Sequence, residues 1–176
     1  MIMRLRLRKF ALTAHVTSSI GWLGAVVAFL ALDITAQNSR DVQTVRAAYL
    51  AMATLIWYVL IPLAVAALLT GIVQSLGTTW GLLRHYWVLF KLVLTVVAAI
   101  LLVQYSQTVA DRAAVAASIA DPRGLPSFLL HSVGGLVVLL VVTILAVFKP
   151  RGMTRYGWRK RRDQQRKDEQ RKVPVP

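Results

Sequence analysis

Long uncharged stretches dominate this chain, and short charged segments separate them. After Arg4, Arg6, Arg8 and Lys9 the next ionised residue is Asp33, so Phe10 to Leu32 is 23 residues without a charge. Further uncharged stretches run from Ala47 to Leu83, from Leu92 to Ala110 and from Gly124 to Phe148. A hydrocarbon layer of about 30 Å is crossed by roughly 20 residues at helical rise, so each stretch is long enough. The pattern predicts four transmembrane helices, near 10–32, 48–74, 86–108 and 125–148. A basic N-terminus (1–9) precedes them, and a basic tail (149–176), disordered or lying as a helix on the membrane surface, follows. No period-two alternation runs through these stretches, which argues against a membrane barrel. The expected fold is therefore all-α, a four-helix transmembrane bundle. A secretory signal has an apolar region of only about 7–15 residues, so helix 1 is expected to stay as an uncleaved anchor.

Composition agrees: 57% of residues are hydrophobic and 16% charged, against roughly 25% charged in a soluble domain. A water-soluble enzyme domain is excluded. The net charge of +14, from 21 Lys+Arg and 7 Asp+Glu, is segregated. The N-terminus is basic; the first connection balances Asp33 and Asp41 against Arg40 and Arg46. The second carries Arg84 and Lys91, and the third balances Asp111 and Asp121 against Arg112 and Arg123. The tail from Lys149 holds 11 basic and three acidic residues. Cytoplasmic loops retain Lys and Arg, so this alternation predicts both termini in the cytoplasm of a plasma (inner) membrane protein. In the tail, Arg159, Lys160, Arg161 and Arg162 are expected to meet anionic lipid headgroups. Nucleic acid is the weaker partner, because no base-stacking aromatics follow Trp158. Cysteine is absent, which removes disulfides, thiolate metal sites and covalently attached haem.

Membrane helices associate through small residues that let backbones approach. Thr17, Gly21 and Ala25 in helix 1, Gly71 in helix 2, and Gly134 and Gly135 in helix 4 are expected to line the bundle seam. Pro62 should bend helix 2 by depriving one carbonyl of its donor. Trp80, Tyr86, Trp87, Tyr156 and Trp158 fit an aromatic belt at one interface, whereas Trp22 and Trp57 fall in mid-helix.

No phosphate-binding, metalloprotease, nucleophile-elbow or dinucleotide motif is present, and no catalytic residue is nominated. All seven acids are expected in loops or tail, which weakens a proton-coupled carrier or a di-iron bundle. Histidine remains. His15 lies about 8 Å into helix 1 and His131 about 9 Å into helix 4 from the opposite side, by helical rise. Neutral imidazole ligates b-type haem, and the two axial rings must sit at one level. His15 and His131 are mismatched in depth, whereas His15 and His85 are compatible. The competing reading has each ring bonded to a neighbouring hydroxyl or carbonyl. His131 with Asp33, Asp111 and Asp121, all on the outer side, forms a candidate divalent-metal set.

With spans and histidines placed, the sequence resembles a group of small bacterial integral membrane proteins of unknown function. The matching features are His15 ahead of Gly21-Trp22-Leu23-Gly24, the run Trp87 to Leu92 entering helix 3, and His131 ahead of Gly134-Gly135. It is more distantly similar to four-helix membrane b-type cytochromes and to copper-resistance D-type membrane domains. That similarity implies haem held by paired histidines, here only His15 and His85; Met52 is the lone methionine inside a helix, so copper handling gains no support. The expectation is a structural or accessory membrane component working through contact with a partner protein or a second copy. The alternatives are a haem b electron-transfer protein and a small transporter.

Overall fold

The computed structural model describes residues 4–77, 82–150 and 152–172; Trp80 lies outside them. The chain is an antiparallel bundle of four long apolar helical spans, and it is a multi-pass membrane protein. The spans are α1 (Leu5–Asn38), the continuous rod Val42–Gly77, α4 (Tyr86–Ser118) and α5 (Leu129–Phe148). Within the rod, α2 (Val42–Leu55) passes through a π turn (Ile56–Leu60) into α3 (Ile61–Gly77). A further helix, α6 (Arg155–Lys172), follows the fourth span. Each span packs on its sequence neighbour, and α5 closes the ring by packing on both α4 and α1.

Local chemistry sets the helix ends. Asp41 caps α2, accepting from the Thr44 amide at 2.9 Å, the Gln43 amide at 3.3 Å and the Thr44 hydroxyl at 2.6 Å. These bonds, the hydroxyl's first, hold its carboxyl below the ordinary range. Pro62 has no amide hydrogen, and the rod widens immediately before it, with the Ile61 amide reaching back to the Ile56 carbonyl. The expected bend is thus taken up as a π turn, which restores pairing around a missing donor.

The core is lopsided. Trp22, Val26, Phe29, Tyr49, Met52, Ile56, Leu60, Val109 and Phe128 are buried, and they fill the half of the bundle nearer the 39–41 and 119–128 connections. Between Val88 and Ser106, α4 fully buries no side chain, and α3 buries none after Ala67. Trp22 fills the bundle, whereas Trp57 is 42% exposed.

Candidate functional site

The two ends of the bundle are built differently. At the end formed by 39–41 and 119–128, polar groups serve one another. Arg46 donates from Nε to the Ala116 carbonyl at 2.9 Å and from Nη2 to that of Ile119 at 2.8 Å, so it caps α4. Arg112 donates to the Pro126 carbonyl at 2.9 Å and lies 4.4 Å above the Phe128 ring. The Tyr49 hydroxyl donates to the Leu125 carbonyl at 3.1 Å. Phe128, fully buried, meets Phe29, Tyr49 and Tyr105 edge to face at 5.8–6.2 Å.

Asp33 is the centre of this end. It is not in a loop: it belongs to α1, is 0% exposed, and accepts from Ser127 Oγ at 2.8 Å and from the Phe128 amide at 3.1 Å. Both donors lie at the start of α5, where unpaired amides and the positive end of the helix dipole favour a carboxylate. Asp33 therefore ties the fourth span to the first.

The proposed metal set is not assembled. Asp33 is committed to α5. Asp121 pairs with Arg123 at 2.7 Å, whose guanidinium holds its carboxyl down at about 2. Asp111 lies exposed on α4, and His131, also exposed, stacks on Tyr105 with centroids 3.7 Å apart. Among the described residues no three His, Asp or Glu side chains are grouped to hold a metal ion.

At the opposite end, His15 sits between α1 and α3. Its Nδ1 lies 3.1 Å from the Ala67 carbonyl and 3.2 Å from Thr70 Oγ1. A carbonyl only accepts, so Nδ1 carries the hydrogen of the neutral ring. Gly71 makes room for that ring, since a Cβ there would come within 3.0 Å of its Cε1. Gly21 meets Leu63 in the same seam, and Ala25 is buried, whereas Thr17 faces outward. Gly134 and Gly135 are a correction: a Cβ on either meets nothing within 4 Å, so they line no helix contact. Lys91 of α4, half-buried, is near enough to His15 to interact electrostatically.

His85 occupies the position before the first turn of α4 without a capping bond from its side chain, pairs by backbone with Met153 and tilts against Trp87 at 6.4 Å. The two haem candidates are thus anchored by different elements, His15 by α3 and His85 beside the segment after α5. That segment also seats α6. Thr154 donates from its amide to the Arg84 carbonyl at 2.9 Å and from its hydroxyl to that of Leu83 at 2.6 Å. The hydroxyl also accepts from the Gly157 amide at 3.1 Å, capping the helix. A Cβ at Gly157 would lie 2.5 Å from the Arg84 carbonyl oxygen, so only glycine fits there. Among the described residues α6 packs against none of the spans beyond this contact, and Arg159, Lys160, Arg161 and Arg162 are exposed.

Compared with protein-family models, curated proteins and solved structures, the chain matches none. The resemblance to cytochromes and copper-resistance domains therefore finds no support beyond four apolar helices.

Sequence reasoning missed the Asp33 latch and the Thr154–Gly157 seat. A signal for the first existed: Trp22, Val26, Phe29, Asp33 and Ala36 recur at helical spacing, so the buried stripe of α1 runs straight through the carboxylate. The second depends on backbone pairing that leaves no mark on sequence.

Proposed function

We propose that the chain is a small accessory component of the plasma membrane, with both termini cytoplasmic, working through contacts to a partner protein or a second copy and to anionic headgroups. One observation carries this reading: the contrast between the ends. One end is closed on itself, with Asp33, Asp41, Arg46 and Arg112 committed to caps and latches. The other collects Arg4, Arg6, Arg8, Lys9, Arg84 and Lys149, and presents a cationic helix on a fixed seat. Among the described residues no buried side-chain nitrogen or oxygen lacks a hydrogen bond, which fits a scaffold better than a reaction centre. Long faces of α4 and α5 without fully buried side chains leave room for protein contacts. Affinity capture from native membranes tests the proposal: a defined membrane partner or a stable second copy is expected, and a monomer that captures nothing overturns it.

A second reading, haem b held by His15 and His85, rests on one detail of His15. Its Nδ1–H donates to a backbone carbonyl, as a ligating imidazole's second nitrogen does, and its Nε2 has no partner among the described residues. A purified protein without a Soret band after haem supplementation ends that reading.

A further inference from the structure

Midway along the rod Val42–Gly77, two aromatic side chains face away from the bundle. The inner line of the rod runs Met52, Ile56, Leu60, Ala64, in steps of four, and all are buried. A helix of 3.6 residues per turn drifts off such a line, and the π turn at Ile56–Leu60 absorbs the extra residue. Away from that line Trp57 is 42% and Tyr58 79% exposed. Their depth follows from the neighbouring helix. Tyr49 meets the Phe128 ring, just before α5, at 6.2 Å. α5 is 20 residues long, which spans about 30 Å by helical rise and matches the hydrocarbon layer. Tyr58 follows Tyr49 by about 13 Å at the same rise, and therefore lies near the middle of that layer.

Tyrosine and tryptophan favour the interface, where their polar atoms meet water and headgroups; at mid-depth they meet neither. The hydroxyls of Thr54, Thr95 and Thr143 each return to a carbonyl of their own helix at 2.8–3.0 Å. The Tyr58 hydroxyl, at the far end of its ring, cannot reach its own backbone in this way, and it makes no hydrogen bond with any described residue. A hydroxyl left unpaired in hydrocarbon is strongly disfavoured. We propose that a second copy of the chain docks on this face, the two rods packing about a two-fold axis along the membrane normal with their Tyr58 hydroxyls hydrogen-bonded to each other. A phenol both donates and accepts. Identical chains inserted in one orientation hold Tyr58 at the same depth, so a second copy supplies the missing partner through an isologous contact and no other residue is required. The same face admits close approach, because Ala47, Ala51 and Thr54, at helical spacing before Tyr58, are small and exposed, and small residues let backbones come together. This inference rests on the accessory reading above and narrows it to one partner and one surface.

The absence of cysteine from the full chain makes the test direct. In native membranes, Ala51→Cys and Thr54→Cys should form disulfide-linked dimers on oxidation with copper phenanthroline, whereas Val97→Cys and Val137→Cys, on the exposed faces of α4 and α5, should stay monomeric. Energy transfer between chains labelled at Gln164→Cys, followed as vesicles are diluted with lipid, measures the dimer. Tyr58→Phe keeps the ring and removes the hydroxyl, and should weaken it about three- to tenfold, with an unchanged unfolding transition showing that the bundle persists. Cross-linking only at Val97→Cys or Val137→Cys, or equally at all four positions, overturns this surface. A dimer as stable in Tyr58→Phe as in the wild type overturns the paired hydroxyls. A chain without energy transfer or cross-links overturns the second copy; if affinity capture then recovers a defined membrane partner the accessory reading stands, and if it recovers none that reading falls too.

Discussion

Replacing Asp33 by alanine probes the contact on which closure of the bundle depends. The side chain is fully buried and accepts from the Phe128 amide and Ser127 hydroxyl. The hydroxyl can turn elsewhere, since Ser127 Oγ already accepts from the Leu129 amide at 2.9 Å. The Phe128 amide cannot, and a buried donor left unpaired costs about 1–3 kcal/mol. Loss of a carboxylate at a partly buried helix N-terminus adds up to about 2 kcal/mol, and relief of carboxylate desolvation offsets part of the sum. Asp33→Ala should therefore destabilise the bundle by about 2–4 kcal/mol, and Asp33→Asn, which keeps one acceptor, by about half as much. Reversible unfolding in mixed micelles of increasing dodecyl sulfate content, followed by tryptophan fluorescence, measures this. Asp111→Ala, on the exposed face of α4, is the control and should leave the transition in place. If Asp33→Ala unfolds where the wild type does, the latch contributes nothing and the argument for it fails.

Gly71→Ala should push the His15 ring off the Ala67 carbonyl and cost about 1–3 kcal/mol by overpacking, whereas Gly134→Ala, with open space around it, should stabilise α5 by up to about 1 kcal/mol through helix propensity; equal effects in the same unfolding assay would refute the assigned seam. Gly157→Ala should unseat α6 and speed proteolysis after Arg155 and Arg159 while leaving the spans intact, and an unchanged digestion pattern counts against the seat. Asp121 should titrate near 2 by carbon-detected NMR. A carboxyl depressed on folding contributes stability above its unfolded value, lost as pH falls through the folded one, so the Asp121–Arg123 contact should persist at pH 4 and release near pH 2; a midpoint near 3.8 would show no pairing.

The four spans were legible because a hydrocarbon layer fixes their length and nothing soluble tolerates so few charges. Their ends were not, because a charged residue does not by itself stop a helix. α1 continues past Asp33 to Asn38, and α4 past Asp111 and Arg112 to Ser118. A helix carries ions where it leaves the apolar layer or where its partner helix offers amides, as the start of α5 does for Asp33. Glycine was similarly ambiguous. Gly71 and Gly134 look alike in sequence, and only the ring of His15 against one and open space beside the other separate them. Pro62 announced an irregularity, but a widened turn rather than a simple bend depends on how neighbouring carbonyls find donors.

We propose a four-pass bundle whose closed end lies outside and whose cationic end, with α6, faces the cytoplasm. Because the chain has no cysteine, single substitutions report cleanly. Ala120→Cys in the 119–128 connection and Gln164→Cys in α6 are exposed positions, and each is treated on intact cells with a membrane-impermeant maleimide. Labelling of Ala120→Cys on intact cells, and of Gln164→Cys only after lysis, is the predicted result; labelling of Gln164→Cys on intact cells would contradict it.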